Sequence, residues 1–280
     1  MVDTGGDSVK ANTGAKPNLG KSDGETVVFS HPANYSLPMN ILKPKPEHSV
    51  HRCIVLIHGG GWVGGTMREM DDLAHFFAER GFLTASVTYR LAPKDIWPAQ
   101  LDDVQTAVRY IRTHAKELDI SGEKIGAAGV SAGGHLSLFL GSVETRKASE
   151  YAGISSRVQA VGSISGIHDL NSPMTTAGEQ YRIVQALTGE GSTVNQEIRS
   201  QASPLTFVDS KTAPTMFIQG RNDPLVPAAQ TNLAASKLKQ LGVPTEALFI
   251  AGMEHGISSR QKEQAKALDQ LAAWMMKYLK

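Results

Sequence analysis

The sequence of 280 residues has a single cysteine and no long apolar run, and each absence excludes a class of protein. With Cys53 alone no intramolecular disulfide can form, so the fold is not a disulfide-stapled scaffold. No stretch approaches the roughly 18 apolar residues of a membrane-spanning helix, and no apolar signal-peptide core is present. The compartment stays open, because the chain fits a cytoplasmic protein and equally a secreted one whose signal peptide was removed before the numbering.

An excess of charge of either sign is also missing. The sequence has 28 lysines and arginines against 27 acidic residues, which gives a formal net charge of +1. This balance creates no field that would gather nucleic acid or an anionic membrane surface. The expected partner is therefore a small-molecule substrate, with no nucleic acid and no membrane span.

Signals for metals and dinucleotide cofactors are weak. His48, His51 and Cys53 are spaced like metal ligands, but Cys53 begins the apolar run CIVLI, no fourth ligand is apparent, and no H-E-x-x-H motif occurs. The segment LIHGGGWVGG, residues 56–65, satisfies the G-x-G-x-x-G spacing, yet the next strand does not end in the acidic residue that a dinucleotide site requires. Arg90 at that position leaves only a weak case for a 2′-phosphate. The sequence therefore predicts neither a metal site nor a cofactor.

Strand-like and helix-like segments alternate along most of the chain. The first 25 residues, rich in Gly, Asp, Lys, Asn and Ser, are predicted to form a flexible tail, and residues 26–280 a single domain. Strands that alternate with helices pair in parallel, with helices on both faces of the sheet. The predicted strands cover residues 26–29, 36–42, 52–57, 82–88, 124–130, 158–164, 214–219 and 246–250.

Helices are predicted in most of the gaps between strands. The first is expected to begin at a T-x-x-E capping box formed by Thr66 and Glu69. The interval 166–212 holds only one short helical pattern, and a connection this long inside a compact domain is usually functional. We therefore expect a lid-like insertion over about 170–205. The predicted helices cover residues 67–80, 99–118, 133–144, 181–187, 228–241 and 259–280.

A nucleophile is predicted where the fifth strand meets its helix. The motif G-x-S-x-G, residues 129–133, follows the strand KIGAAGV and precedes an apolar helix, which is the context the motif requires. A sharp turn between strand and helix strains the central residue and leaves room only for small neighbours. Ser131 is therefore predicted to present its hydroxyl at the carboxyl end of the sheet.

A serine nucleophile needs a histidine base and an acid that orients the histidine. In α/β-hydrolases these residues follow along the chain in the order Ser, Asp, His, and this sequence offers candidates in that order. Asp223 lies just past the strand PTMFIQG, and His255 lies in a small-residue loop past the last strand. Asp169 is an alternative acid, because it too follows a strand. His135 is predicted to pack within its helix, and His168 to shape the entrance of the lid.

The glycines after the third predicted strand, residues 52–57, are better explained by acyl-transfer chemistry than by phosphate binding. The tetrahedral intermediate of such a reaction carries an oxyanion, and backbone N–H groups of glycines can reach it without a side chain in the way. The sequence His58–Gly61 is an HGGG-type oxyanion motif, upstream of the nucleophile as expected. The N–H group of Ala132, the residue after the serine, would complete the oxyanion hole.

Taken together, HGGGW, YRLAP, WPAQLDD, GVSAGG, RNDPLVP and GMEHG resemble the motifs of an α/β-hydrolase carboxylesterase over residues 26–280. The resemblance lies between the hormone-sensitive-lipase-like and the feruloyl/acetyl-esterase-like bacterial groups. It implies the α/β-hydrolase fold, with a mostly parallel central sheet flanked by helices. One departure is the absence of N-terminal cap helices, so we expect a small lid, no large cap and an open acyl site. The residues implied are the triad Ser131, Asp223 and His255, the oxyanion donors Gly60, Gly61 and Ala132, the bracing His58, and Trp62 as a substrate contact.

The predicted function is hydrolysis of short-chain carboxylic esters through an acyl-enzyme, with no cofactor. An acetylxylan or feruloyl esterase, with an acylated carbohydrate as substrate, and an arylformamidase would use the same triad. A ligand-binding protein that retains the hydrolase fold without activity is a more distant alternative. The sequence leaves the natural alcohol and the oligomeric state open.

Overall fold

The structure is a computed structural model that describes residues 24–144, 150–173, 178–191 and 193–280. The tail predicted for residues 1–25 lies outside the described residues except at its end, where Glu25 already belongs to the first strand. Within the described ranges, no helix combines the length and the apolar character needed to cross a membrane.

The described residues form one sheet of eight strands in the order β1-β2-β4-β3-β5-β6-β7-β8. β1 and β2 pair antiparallel, as do β2 and β4, and all further pairs are parallel. This agrees with the predicted, mostly parallel sheet. The strands are β1 Glu25–Ser30, β2 Leu37–Leu42, β3 Cys53–Ile57, β4 Leu83–Val87, β5 Ile125–Val130, β6 Ala160–Ile164, β7 Thr215–Gly220 and β8 Thr245–Ile250.

Helices cover both faces of this sheet, so β3, whose sequence is CIVLI, has all five residues buried. The chain moves from β3 to β4 on one side and then returns to add β5 on the other side of β3. A crevice opens at such a reversal, beyond the carboxyl ends of the strands. The helices are α1 Asp71–Ala78, α2 Ala99–Thr113, α3 Ala132–Ser142, α4 Gly178–Thr188, α5 Gln196–Gln201, α6 Ala228–Gln240 and α7 Lys262–Tyr278.

The predicted start of the first helix was wrong. Thr66 precedes a 3₁₀ turn, Met67–Met70, and its side chain makes no capping hydrogen bond. The Glu69 N–H group instead donates to the Thr66 carbonyl oxygen at 3.1 Å, because a 3₁₀ turn closes its bonds over three residues. The α-helix therefore begins only at Asp71.

The described part of the long excursion between β6 and β7 contains two α-helices, α4 and α5, where one was predicted. α4 is anchored by the backbone N–H group of Trp97, which donates to the Leu187 carbonyl oxygen at 2.8 Å. Beyond α4, the carboxylate of Glu190 pairs with the guanidinium of Arg199 on α5, and both side chains are almost fully buried. A buried pair with multiple hydrogen bonds holds the two segments in one arrangement.

Candidate active site

Ser131 occupies the turn between β5 and α3 with φ 57° and ψ −118°. This left-handed conformation is costly for a residue with a side chain, and the neighbouring glycines make it feasible. A Cβ atom on Gly133 would lie 1.9 Å from the Ile57 carbonyl oxygen, and one on Gly129 would lie 2.3 Å from the Gly133 carbonyl carbon. The Ser131 N–H group donates to the Ile164 carbonyl oxygen at 2.8 Å, which ties the turn to β6.

Asp223 and His255 lie together at the carboxyl ends of β7 and β8. The Nδ1 atom of His255 is 2.9 Å from Oδ2 and 3.1 Å from Oδ1 of Asp223. A carboxylate accepts only, so Nδ1 carries the ring proton and the Nε2 lone pair is left available. The structure therefore brings the predicted acid and base into direct contact.

The Asp223 carboxylate is held ionised by its surroundings. Burial alone would raise its pKa, but hydrogen bonds from the Val226 N–H group, from His255 and from the Leu225 N–H group outweigh that effect and lower it. The two N–H groups each donate to Oδ1 at 2.9 Å, and Gln219 Nε2 donates to Oδ2 at 3.1 Å. These bonds also fix the plane of the carboxylate.

The glycine turn after β3 has the backbone geometry that only glycine adopts easily. Gly60 has φ 95° and Gly61 has φ 59°. The Gly60 carbonyl oxygen accepts hydrogen bonds from the N–H groups of Val63 and Gly64 at 3.1 and 3.0 Å. With that oxygen turned inward, the turn lies beside Ser131, and both glycines line the cavity into which Ser131 projects.

His58 braces this turn from within the core. Its ring stacks on Tyr89 with the centroids 4.2 Å apart, and its Nδ1 atom lies 2.8 Å from the Gly59 carbonyl oxygen. Burial lowers the pKa of His58 to about 4, so the ring is neutral at pH 7. The Tyr89 hydroxyl, which sequence analysis did not single out, lies 3.1 Å from the carbonyl oxygens of both His58 and Gly59.

Ala132 and Trp62 are both fully buried, with different consequences. Ala132 is the first residue of α3, where a backbone N–H group has no partner within the helix. Trp62 lies in the wall of the cavity, but its indole N–H group donates to His135 Nδ1 at 3.2 Å. His135 Nε2 in turn donates to the Ala202 carbonyl oxygen at 2.7 Å. The indole therefore packs mainly against the core, and a contact with substrate stays a prediction.

Two cavities, of about 350 and 220 Å³, meet at Ser131, His255 and Gly60. Although Ser131 and His255 line both, no hydrogen bond joins them within the described ranges, which is common before substrate binds. The larger cavity is roofed by α4 and is mainly apolar, and its further lining is Gly61, Trp62, Val63, Ile167, Glu179, Gln180, Ile183, Val184, Leu225 and Val226. The smaller one is more polar, and its further lining is Gly59, Glu69, Met70, Asp72, Leu73, Val130, Gly256 and Ile257.

The alternative candidates lie elsewhere. Asp169 Oδ1 accepts from the Asn171 N–H group at 2.9 Å, and its carboxylate has no described contact with His255. His168 was predicted at the lid entrance, which was wrong: it is fully buried against Phe217, with ring centroids 5.2 Å apart. Arg90 forms a bidentate pair with Asp103, so it is not free to hold a phosphate.

A known sequence family matches the part of the chain that holds most of this site. The sequence model of the BD-FAE family matches residues 39–238, well over half of the chain. The chain belongs to the BD-FAE family. The matched range includes the glycine turn, Ser131 and Asp223, and ends before His255.

Within the described residues, no cluster of His, Cys, Asp and Glu could hold a metal ion.

Curated relatives of this BD-FAE protein include a protein named as a carboxylic ester hydrolase and one named as a xylanase. The probable carboxylic ester hydrolase LipM of Mycobacterium tuberculosis is 29% identical over 66% of the chain and 44% of its own length. Endo-1,4-beta-xylanase B of Butyrivibrio fibrisolvens is 26% identical over 84% of the chain and 37% of its own length. The chain thus spans less than half of these relatives.

Solved structures similar to the BD-FAE protein have the α/β-hydrolase fold that the sequence predicted. The esterase Est2 of Thermogutta terrifontis with bound propionate gives a TM-score of 0.78 at 26% identity, covering 93% of the chain and 96% of Est2. A truncated carbohydrate esterase from gut microbiota gives a TM-score of 0.77 at 21% identity, covering 93% of the chain and 98% of that protein. At that identity the likeness shows the fold alone.

Proposed function

We propose that this protein is a serine carboxylic ester hydrolase. The observation that carries the proposal is the Asp223–His255 hydrogen bond beside a strained serine, with Ser131 and His255 lining the same cavity. The family and the named relatives support the same activity. The proposed triad is Ser131, Asp223 and His255, and the proposed oxyanion donors are the N–H groups of Gly60, Gly61 and Ala132.

The proposed reaction begins at Ser131. As its Oγ atom bonds to the ester carbonyl carbon, the hydroxyl proton moves to His255 Nε2, and Asp223 stabilises the imidazolium through Nδ1. The carbonyl oxygen becomes an oxyanion bound by the three N–H groups, and removal of one such donor typically costs about 100- to 1,000-fold in rate.

Collapse of the tetrahedral intermediate breaks the bond to the alkoxide, which takes the proton from His255 and leaves as the alcohol. A water molecule then gives a proton to His255 and attacks the acyl-enzyme. The second collapse returns the proton to Ser131 Oγ and releases the carboxylic acid. The cycle needs no group beyond the protein and water.

We propose short acyl groups as the preferred substrates. The apolar cavity is about 350 Å³ and is closed on one side by Ile183 and Val184 of α4. This wall of branched side chains limits how far an acyl chain can extend toward α4, since a longer chain must displace packed side chains there. In support, Est2 of Thermogutta terrifontis has been solved with both propionate and butyrate.

An acylated carbohydrate is the second candidate. The smaller cavity carries the exposed carboxylate of Glu69, which suits a hydroxyl-rich alcohol. The name of one similar protein, a xylanase, agrees with a carbohydrate substrate. Higher kcat/KM on acetylated xylan than on simple acetate esters would favour this candidate.

The test is a substrate panel with Ser131→Ala as the blank. We expect the wild type to hydrolyse p-nitrophenyl acetate and butyrate faster than the octanoate, and Ser131→Ala to show no activity above background. N-formylkynurenine in the same panel separates ester from formamide hydrolysis. In parallel, a fluorophosphonate probe should add mass to the wild type but not to Ser131→Ala. An unlabelled wild type, or equal labelling of both, would refute a serine hydrolase and favour a binding protein.

A further inference from the structure

The loop that carries His255 is irregular over residues 251–261, between β8 and α7. One end is anchored by Met253, which is buried and packs closely on Gly220: a Cβ atom on this glycine would lie 2.2 Å from the Met253 carbonyl oxygen. His255 itself is held by Asp223. Next to it, Gly256 has φ 92°, and a Cβ atom added there would meet nothing within 4 Å, so no neighbour packs against that side of the glycine.

A second anchor lies four residues after the histidine. The Ser259 N–H group donates to Asp72 Oδ2 at 2.8 Å, and the Ser259 hydroxyl donates to Asp72 Oδ1 at 2.6 Å. One carboxylate thus holds both a backbone and a side-chain group of the loop. Two hydrogen bonds to one carboxyl group fix position and orientation better than one.

Asp72 links this loop to the other half of the site. It lies in the first turn of α1, which begins directly after the 3₁₀ turn Met67–Met70, and that turn follows the glycine turn. Asp72 and Gly60 line the same small cavity beside Ser131. The bonds to Ser259 therefore connect the loop carrying the base with the segment carrying the oxyanion donors.

We infer that Asp72 and Ser259 are positioning residues that hold the His255 loop against α1, so that the imidazole faces Ser131. The inference rests on the proposed function, in which His255 must come within hydrogen-bond distance of Ser131 Oγ. Neither residue takes part in proton transfer. Their effect is on the distance and angle between base and nucleophile, where a displacement of about 1 Å can cost on the order of 100-fold in rate.

The chain offers a control near the other end of α1, where a different aspartate makes two hydrogen bonds. Asp269 of α7 accepts at 2.7 Å from Nη2 and at 3.0 Å from Nε of Arg80, which lies just after the far end of α1. Asp269→Ala therefore removes a tie between α1 and α7 without touching the histidine loop. A loss of activity caused by general loosening of α1 would appear in this variant too.

The kinetic test compares four variants with the wild type on p-nitrophenyl butyrate. Asp72→Ala should lower kcat about 10- to 100-fold with KM within about twofold, because binding is kept while alignment is lost. Ser259→Ala, which keeps the bond from its N–H group, should lower kcat about two- to fivefold. Asp72→Asn should stay near the wild type, since its amide can accept from the Ser259 N–H group and donate to the Ser259 hydroxyl. Asp269→Ala should match the wild type.

Several outcomes would overturn the inference. A rise in KM with kcat unchanged in Asp72→Ala would make Asp72 a substrate contact. An Asp72→Asn variant as impaired as Asp72→Ala would mean that charge, and not hydrogen bonding, is what matters. Equal losses in Asp269→Ala would assign the effect to α1 as a whole. Ser259→Ala keeps the test open if Asp72→Ala does not fold.

Hydrogen exchange separates this inference from the proposed function. Amides of residues 254–259 should exchange faster in Asp72→Ala than in the wild type, and at wild-type rates in Asp72→Asn and Asp269→Ala. This readout needs no activity. Unchanged exchange in Asp72→Ala would refute the anchor even if the protein hydrolyses esters, whereas faster exchange in a protein without esterase activity would refute only the proposed function.

Discussion

Gly60 and Gly64 lie in one turn, but a methyl group meets very different surroundings at each. A Cβ atom on Gly60, where φ is 95°, would lie 2.3 Å from the Gly64 carbonyl oxygen, whereas one on Gly64 would meet nothing closer than 3.9 Å. Gly60→Ala must shift the backbone and with it a proposed oxyanion donor, so kcat should fall about 100-fold or more. Gly64→Ala should retain activity. Steady-state kinetics on p-nitrophenyl acetate checks both, and an active Gly60→Ala would argue against this turn as the oxyanion hole.

The two aspartates that follow strands can be separated by isosteric replacement. Asp223→Asn should reduce kcat about 10⁴-fold, since an amide no longer stabilises the imidazolium and favours the wrong tautomer of His255. Asp169→Asn keeps an oxygen for the Asn171 N–H group and should remain close to the wild type. Comparable losses in both variants, measured as kcat on p-nitrophenyl acetate, would contradict the assignment of the acid.

Residue-level prediction worked where the constraint is local. The glycines around Ser131 indicate a strained turn because the steric cost falls on neighbours in sequence. The prediction at Thr66 was wrong, because the same sequence can form a capping box or a 3₁₀ turn. The Glu69 N–H group donates to the Thr66 side-chain oxygen in a capping box, and to the Thr66 carbonyl oxygen in the 3₁₀ turn that is observed. The Asp72–Ser259 contact carried no sequence signal, since 187 positions separate its partners.

Helix α4 forms one wall of the larger cavity, and we expect it to limit how far an acyl chain can extend. The Ile183 Cγ2 atom would lie 2.9 Å from a Cβ on Gly61, so this side chain covers the proposed oxyanion turn. Ile183→Ala should raise kcat/KM for p-nitrophenyl octanoate relative to acetate by about 10-fold, the scale of a few methylenes in an apolar pocket. Arg182→Ala, the neighbour on the exposed face, serves as control and should leave the ratio unchanged. An unchanged ratio in Ile183→Ala would mean that chain length is read elsewhere.

Elements were predictable from alternation of apolar segments, with one exception in the excursion before β7. α5 is six residues long and has one buried residue, Arg199, so no apolar stripe marks it. Its signal was Asn195, whose side chain accepts from the N–H groups of Glu197 and Ile198 at 3.2 Å each. The sequence therefore contains a capping residue for α5. It does not show the tertiary packing that stabilises so short a helix.

The whole molecule has a built-in acid sensitivity. Burial lowers the pKa of His58 and His135 to about 4 and that of His168 to about 3, the last with a further contribution from His135. In the unfolded chain the pKa of a histidine is about 6.5. Above that pH the three histidines are neutral in both the folded and the unfolded state. As pH falls from about 6.5 toward 4, only the unfolded chain binds protons at these residues, so the free energy of unfolding decreases.

The free energy of unfolding should accordingly decline by up to about 4 kcal/mol per pH unit once the unfolded chain binds three extra protons. Urea denaturation between pH 7.5 and 5 measures the slope. His168→Gln should reduce this slope by about one third, because one of the three buried histidines is then missing. A slope that His168→Gln leaves unchanged would contradict burial as the cause.

Cys53 begins β3, which lies between β4 and β5 in the middle of the sheet, and none of its surface is exposed. Burial raises the pKa of its thiol, and a thiol reacts only as the accessible thiolate. Modification by an aromatic disulfide reagent must then wait until the sheet opens. The protein thus carries one natural reporter of global unfolding, whose labelling rate gives the opening equilibrium of each variant without any added probe.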